Sequence, residues 1–242
     1  MLEPSCTIPQ IRAPHRAFFH HLPCCDYADI WRMQKQLTQA RICAGLEHDL
    51  FLLLEHQPVM TLGRGGGLEH LLIDPDRLAE RGVALYQTER GGEITYHGPG
   101  QLVVYGICDL HSTGLSVRSY IAQLEQVMLG VAADWGVSAR TDARRRGVWV
   151  GAHKLGSVGI GVKRGVTFHG LALNVDLDLT PFSWISPCGL PGVEMTSLAL
   201  ACGARVPMKD VRHQMVSELQ RVFGFEGLPW QEGWAVREGG NP

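Results

Sequence analysis

The sequence has little net charge, no paired cysteine motif and no long apolar run. Its 22 basic and 24 acidic residues leave a net charge of −2, which argues against a general nucleic-acid or membrane-surface role. The cysteines never form a Cys-x-x-Cys pair, so neither a disulfide framework nor a zinc knuckle is indicated, and a reducing cytoplasm fits best. No run approaches the length of a membrane span and no export signal is evident, so we expect a soluble, cytoplasmic protein.

Several familiar catalytic signatures are also missing. Around Ser157 the chain reads Leu-Gly-Ser-Val-Gly, with leucine where a serine hydrolase carries its first glycine. The histidines His97 and His169 both precede Cys188, the reverse of the order in papain-like proteases. The glycines of residues 63–67 form neither a Walker loop nor a dinucleotide turn; their amides could contact an anion, and a flexible hairpin is the alternative. A metal site is not expected, since His20-His21 beside Cys24-Cys25 is the only crowding of ligand types.

We expect a single main domain over residues 24–226, preceded by an extension over 1–23 and followed by a tail over 227–242. Apolar residues at helical spacing predict helices, and short apolar runs between glycines and prolines predict strands. The predicted helices cover 26–46, 74–81, 115–135 and 206–223. The predicted strands cover 17–20, 50–54, 59–62 and 83–86, and two more flank a His-Gly-Pro-Gly turn at 97–100.

Cys188 and Lys154 are the strongest candidates for chemistry. Cys188 lies between a proline and a glycine, and Lys154 lies in an apolar, glycine-rich stretch. A thiol reacts as its thiolate, so a nearby cation that lowers its pKa would activate it. Such a pair suits acyl transfer, in which the thiolate attacks a thioester and an amine then accepts the acyl group without ATP. The structural alternatives are a small buried cysteine and a solvated surface lysine.

A Thr-x-His-Gly pattern occurs twice, at Thr95 to Gly98 and at Thr167 to Gly170. Strand alternation predicts that each threonine shares a face with its histidine, with an aromatic residue behind. The repetition indicates two strand ends that line one cleft. A basic group, Arg140 and Arg144 to Arg146 with Lys163-Arg164, is either wet surface or a docking surface for an acidic partner beside that cleft.

Four linked motifs resemble the lipoyl(octanoyl) transferases. They are Arg90-Gly-Gly through Thr95-Tyr-His-Gly-Pro-Gly-Gln-Leu-Val, Lys154 followed by Ser157-Val-Gly, Thr167-x-His-Gly-x-Ala-Leu-Asn174, and Pro187-Cys-Gly followed by Thr196-Ser-Leu198. The resemblance implies an α+β fold shared with biotin and lipoate protein ligases, with a mixed, largely antiparallel sheet flanked by helices. It also implies transfer of an octanoyl group from acyl carrier protein to a lysine of lipoyl domains, in 2-oxoacid dehydrogenase complexes or the glycine cleavage H protein.

The resemblance also assigns roles to residues. Cys188 becomes the thioester nucleophile and Lys154 the group that lowers its pKa and shuttles protons. The implied substrate-binding residues are Arg90, Gly91, Gly92, Glu93, Ile94, Thr95, Tyr96, His97, Ser157, Val158, Gly159, His169, Gly170, Leu171 and Ala172. We expect no cofactor and a monomer.

The sequence departs from the family pattern at three places. Gly156 replaces a common alanine, Gly161 replaces a usual arginine, and Val104-Tyr-Gly106 replaces Gly-Tyr-Pro. These changes bear on the shape of the acyl pocket. Two alternatives remain: an ATP-dependent lipoate or biotin protein ligase that uses residues 63–67 and does not need Cys188, and a binding scaffold of the same fold without catalysis.

Overall fold

An eight-stranded sheet carries most of the fold in this computed structural model, which describes residues 16–186 and 193–227. The strand order is β11-β1-β2-β6-β10-β9-β8-β7. Only the pairs of β1 with β2 and with β11 are parallel. The strands of this sheet are β1 (Arg16–Cys25), β2 (Asp49–His56), β6 (Gln101–Ile107), β7 (Arg140–Thr141), β8 (Val148–Val150), β9 (His153–Lys163), β10 (Val166–Asn174) and β11 (Glu226–Gly227).

Helices cover both faces of this sheet, because alternate strand residues are apolar on each side. On one face, α4 and α6 pack on residues such as Leu53 and Val104. On the other face, α1 packs on residues such as Leu52 and Val103. The helices are α1 (Tyr27–Ile42), α2 (Pro75–Glu80), α3 (Leu110–Thr113), α4 (Val117–Asp134), α5 (Leu198–Cys202) and α6 (Met208–Phe223), with short 3₁₀ turns at Leu68–His70 and Thr180–Trp184.

A second, three-stranded sheet has the order β4-β3-β5, with β3 at Val59–Leu62, β4 at Ala84–Gln87 and β5 at Ile94–His97. The strands on either side of the His-Gly-Pro-Gly turn therefore belong to different sheets: β5 pairs with β3, whereas β6 pairs with β2 and β10. The turn carries the chain from the small sheet to the large one. A space is left between the two sheets.

The helix boundaries follow from capping groups. Asp26 accepts hydrogen bonds from the backbone N–H groups of Ala28 and Asp29, and Pro75 opens α2 after the capping residue Asp74. The predicted helices thus form, with bounds that differ from the predicted ones by at most four residues. Residues 16–23 of the predicted extension belong to β1, within the main sheet. No helix within 16–186 and 193–227 is long and apolar enough to cross a membrane.

Candidate active site

A cavity lies between the two sheets, and it gathers the segments that the sequence singled out. Fourteen of the fifteen predicted substrate-binding residues line it, together with Lys154. The lining comprises Tyr27, residues 90–95, His97, Val103, Tyr105, Lys154, Ser157, Val158, Gly159, His169, Gly170, Leu171, Ala172, Phe182 and Met195. Tyr96 is the exception. Its ring makes an edge contact with the Phe182 ring, with 5.6 Å between the centroids.

Lys154 is buried in the wall of this cavity, with 5 % of its surface exposed. Its ammonium nitrogen lies 5.5 Å from the centroid of the Trp149 indole ring, whose other cationic neighbour is the Arg145 guanidinium at 4.2 Å. An indole face attracts cations, so the ring helps to hold a charged amine in a largely apolar place. The alternative interpretation of Lys154, that it is a solvated surface lysine, is therefore wrong.

Cys188 lies outside the described residues, in the gap between Ser186 and Val193. The chain on both sides of this gap is anchored beside the cavity. Before it, the Ser186 N–H donates to the His70 carbonyl at 2.8 Å. After it, the Lys154 N–H donates to the Glu194 carbonyl and the Thr196 N–H donates to the Lys154 carbonyl, each at 2.9 Å. The chain that carries the predicted nucleophile thus returns along the backbone of the predicted activating lysine.

Arg90 holds one wall of the cavity together. Its guanidinium donates to the Thr61 hydroxyl and carbonyl and to the carbonyls of Gly91 and Glu93, at 2.5 to 3.1 Å. It is 7 % exposed. These bonds tie the loop over residues 90–93 to β3, so the guanidinium positions that loop through backbone acceptors.

The glycines of residues 63–67 pack against the same loop. The N–H groups of Gly63, Arg64 and Gly65 donate to carbonyls of residues 93, 90 and 92 at 2.6, 2.9 and 3.1 Å, and that of Gly66 donates to the Gly63 carbonyl at 3.1 Å. A methyl group on Gly63 would lie 2.2 Å from the Gly92 carbonyl oxygen. These glycines permit close backbone packing, and four amides that could have bound an anion are already used. The amides of residues 63–66 therefore do not form the expected anion site.

Three histidines form a buried aromatic cluster with tyrosines at the cavity. His56 Nδ1 donates to the Cys25 carbonyl at 3.1 Å, so its Nε2 accepts from the Tyr105 hydroxyl at 2.8 Å. His97 Nδ1 donates to Gln101 Oε1 at 2.6 Å. Burial lowers the pKa of His56 to about 4 and those of His97 and His169 to about 3. All three rings are neutral at physiological pH.

His169 reaches the cavity through an unusual backbone. Its φ of +58° is left-handed, which interrupts the alternation of β10. Thr167 faces the α4 side, where its hydroxyl donates to the Gly106 carbonyl at 2.7 Å. The His169 ring instead lies on the α1 side, 5.1 Å from the Phe168 ring and 5.9 Å from the Tyr105 ring. The expectation that Thr167 and His169 share a face is therefore wrong, although both histidine motifs do reach one cavity.

The basic residues do not form one group. Arg140 and Arg144 to Arg146 lie on and after β7, next to β8, where Trp149 pairs with Lys154. Lys163 is nine residues farther along β9, about 30 Å away at the rise of a strand. Of the basic residues, the arginines therefore lie near Lys154 and Lys163 lies far from it.

At the positions where the sequence departs from the family pattern, neighbouring side chains occupy the space beside the glycines. A methyl group on Gly161 would lie 2.3 Å from the Phe168 ring, one on Gly156 would lie 2.6 Å from Met128 Sδ, and one on Gly106 would lie 2.2 Å from the Tyr120 hydroxyl. Larger side chains from other elements thus occupy this space.

The sequence did not single out five residues of the lining: Tyr27, Val103, Tyr105, Phe182 and Met195. Val103 and Tyr105 follow the period of two that a strand imposes, so the alternation of β6 could have identified them. Tyr27, Phe182 and Met195 reach the cavity from distant parts of the chain, and no local pattern marks them. Among the described ranges, no group of three or more His, Cys, Asp or Glu side chains is placed to hold a metal ion.

Comparison with known proteins decides the family. Residues 26–220 match the lipoyl protein ligase A/B catalytic domain. The chain belongs to this family. It is 48 % identical to an octanoyltransferase of Desulfotalea psychrophila, over 78 % of this chain and 86 % of that one. It is 42 % identical to an octanoyltransferase of Syntrophobacter fumaroxidans, over 90 % and 93 % of the two chains. The predicted family resemblance is confirmed.

Solved structures agree on the fold. A putative lipoate protein ligase from T. acidophilum with bound lipoic acid superposes with a TM-score of 0.66 at 14 % identity, over 89 % of this chain and 88 % of that one. Lipoate-protein ligase A bound with ATP gives 0.66 at 14 % identity, over 90 % of both chains. The predicted α+β fold, with its mixed and largely antiparallel sheet, is confirmed.

Proposed function

We propose that this enzyme transfers an octanoyl group from acyl carrier protein, through a thioester on Cys188, to a lysine of a lipoyl domain. Octanoyl transfer is supported by relatives that are 40 to 48 % identical and are octanoyltransferases. The observation that carries the proposal is the buried Lys154 amine in the cavity wall, on the strand along which the chain returns after Cys188. A cation in that place would stabilise a thiolate.

The first half-reaction loads the enzyme. The Cys188 thiolate attacks the carbonyl carbon of the carrier-bound octanoyl thioester, a new carbon–sulfur bond forms, and the bond to the carrier sulfur breaks. The carrier leaves as a thiolate and takes up a proton, which the Lys154 ammonium can supply. The octanoyl chain lies against the apolar part of the lining, which includes Val103, Leu171 and Ala172.

The second half-reaction returns the thiolate. The ε-amino group of a lipoyl-domain lysine attacks the enzyme thioester, an amide bond forms, and the Cys188 sulfur leaves as a thiolate. The attacking amine loses a proton, and the neutral Lys154 amine left by the first half-reaction can accept it. Because a thioester is consumed and an amide is formed, no ATP is required.

The acceptors are lipoyl domains, such as those of 2-oxoacid dehydrogenase complexes, and the glycine cleavage H protein. An acidic carrier is complementary to the exposed arginines Arg140 and Arg144, which lie next to β8 and Lys154. We place the enzyme in the cytoplasm as a monomer, with residues 24–226 as its catalytic domain. The competing function, ATP-dependent ligation, would bind the ATP phosphates with the backbone amides of residues 63–67. The amides of residues 63–66 instead donate to protein carbonyls, which argues against it.

Intact-mass measurement after incubation with octanoyl-carrier in the absence of ATP tests the proposal. We expect the mass of one octanoyl group on the wild-type enzyme and on Cys43→Ser, a control that removes an exposed thiol on the helix α1 side. The adduct should be absent from Cys188→Ser. Modification that persists in Cys188→Ser, or that requires ATP, would contradict the thioester mechanism.

A further inference from the structure

Glu125 is a buried carboxylate that the proposed mechanism does not use. It lies on α4, is 4 % exposed, and is not among the described residues that line the acyl cavity. A carboxylate is rarely buried unless its oxygens are engaged, because burial removes the charge from water. The partners of Glu125 therefore indicate what this side chain does.

Both oxygens of this carboxylate contact the turn that precedes β8. Oε1 accepts from the Gly147 backbone N–H at 2.8 Å, and Oε2 lies 3.6 Å from the Arg146 guanidinium. A hydrogen bond to an ionised group is stronger than one between neutral groups. The Arg146 side chain is 47 % exposed, so water weakens its ion pair. The bond to Gly147 is therefore the main attachment of Glu125 to the turn.

The Gly147 main chain packs against the end of the Lys154 side chain. A methyl group on Gly147 would lie 2.9 Å from Lys154 Cε, the carbon that carries the amine, and 2.3 Å from the Gly156 carbonyl oxygen. The φ of Gly147 is +112°, a conformation that residues with a side chain rarely adopt. Glycine thus permits a close approach to Lys154, and the Glu125 bond holds the main chain in that place.

We propose that Glu125 is a positioning residue for Lys154. It holds Gly147 against Cε and so fixes the amine in the wall of the acyl cavity. A lysine has a flexible four-carbon stem, so its amine stays in one place only where neighbours restrict that stem. A displacement of about 1 Å in a reacting group can cost about 100-fold in rate, so this indirect contact bears on transfer, and the inference rests on the proposed function.

Two conservative variants separate the hydrogen bond from the charge. Glu125→Gln removes the charge but keeps an oxygen that can accept from the Gly147 N–H. Glu125→Asp keeps the charge but is one methylene shorter, which withdraws the carboxylate from that N–H. If the bond positions Lys154, the aspartate variant should be impaired and the glutamine variant should resemble the wild type.

Nuclear magnetic resonance of the full-length protein, labelled with ¹³C at lysine Cε, measures the position of Lys154 directly. The chain has only four lysines, so the spectrum is simple, and Lys154→Met identifies the signal. We expect the Lys154 signal to move in Glu125→Asp and to stay close to its wild-type position in Glu125→Gln. An unmoved signal in Glu125→Asp would overturn the inference.

Tyr120→Phe is the matched control on the same helix. It also removes a buried polar group from α4, since the Tyr120 hydroxyl lies 3.6 Å from Cys108 Sγ and 3.5 Å from the Thr167 hydroxyl. Thr167 pairs with Val162, eight residues from Lys154 along β9. This variant should leave the Lys154 signal unchanged. A shift as large as that in Glu125→Asp would show a general loosening of α4 and would overturn the specific link.

Octanoyl transfer by the same variants, each shown to be folded by circular dichroism, tests the consequence for the reaction. Glu125→Asp should lower kcat by about 10- to 100-fold and leave the KM for octanoyl-carrier unchanged, because Glu125 is not in the cavity lining. Glu125→Gln and Tyr120→Phe should keep kcat close to that of the wild type. An equal loss in Glu125→Gln and Glu125→Asp would assign the effect to charge and overturn positioning through Gly147.

The resonance measurement needs neither substrate nor Cys188, so it separates this inference from the proposed function. A displaced Lys154 signal in Glu125→Asp with unchanged transfer would support the contact through Gly147 and count against the proposed role of Lys154 in the reaction. Absence of an octanoyl adduct on the wild-type enzyme would count against the proposed function alone.

Discussion

Replacing Gly63 by alanine tests whether the glycines at 63–67 serve packing. A methyl group at this position would lie 2.2 Å from the Gly92 carbonyl oxygen and 2.9 Å from the Arg90 carbonyl oxygen, whereas ordinary contacts begin at 3.4 Å. The two loops must therefore separate by more than an ångström. That movement breaks the bonds that Gly63, Arg64 and Gly65 donate to residues 93, 90 and 92. At about 0.5–1.5 kcal/mol for each bond, we expect Gly63→Ala to lose about 2–4 kcal/mol of unfolding free energy.

Urea unfolding followed by circular dichroism measures this loss, and Gly65→Ala is its matched control in the same loop. A methyl group on Gly65 would have its nearest contact, the Gly92 carbonyl oxygen, at 3.5 Å. It should change the unfolding free energy by no more than about 1 kcal/mol. Because residues 90–93 line the acyl cavity, Gly63→Ala should also raise the KM for the octanoyl donor. Equal stability of the two variants would refute the packing argument and reopen a ligand role for the loop.

Three further predictions concern charge. Lys154→Met, which keeps the length of the side chain, should reduce turnover at least about 100-fold and slow alkylation of Cys188 near neutral pH, as followed by mass spectrometry; unchanged alkylation would remove the electrostatic role. His97 has a folded-state pKa of about 3, below its unfolded value, so the unfolded chain binds the extra proton and stability falls as pH drops from about 6.5 toward 3. His97→Gln should therefore flatten the acid slope of unfolding free energy by up to about 1.4 kcal/mol per pH unit in urea titrations at several pH values. Arg144→Glu should raise the KM for octanoyl-carrier without changing transfer from a small acyl thioester, whereas Arg164→Glu, at the far end of β9, should change neither.

Local chemistry made the helices predictable. Asp26 and Asp74 are capping residues, and both precede stretches whose apolar residues recur at helical spacing. The structure places α1 and α2 there, with ends within a few residues of the predicted ones. The buried strands β2 and β3 were predicted for the same reason, as apolar runs bounded by polar residues and glycine. Signals of this kind lie within a few residues of the element that they specify.

Long-range pairing could not be read from the sequence. The chain before and after the His-Gly-Pro-Gly turn looks like two neighbouring strands, yet β5 and β6 pair in different sheets. The partners that decide this, β3 and β10, lie far away in sequence. For the basic residues, closeness in sequence did not mean closeness in space. Arg146 and Lys163 are close in sequence, but the extended strand β9 between them carries Lys163 to the opposite end of the sheet.

His169 shows how a local exception can build a site. Strict alternation would place its ring on the α4 side of β10, with Leu171 and Leu173. The left-handed φ turns the ring to the α1 side, and the His169 N–H donates to Gln34 Oε1 at 2.7 Å, a bond from α1 that supports this conformation. A non-glycine residue in that region costs about 1–3 kcal/mol and persists only where its surroundings hold it. The buried Gln34 side chain is therefore part of what positions His169 at the acyl cavity.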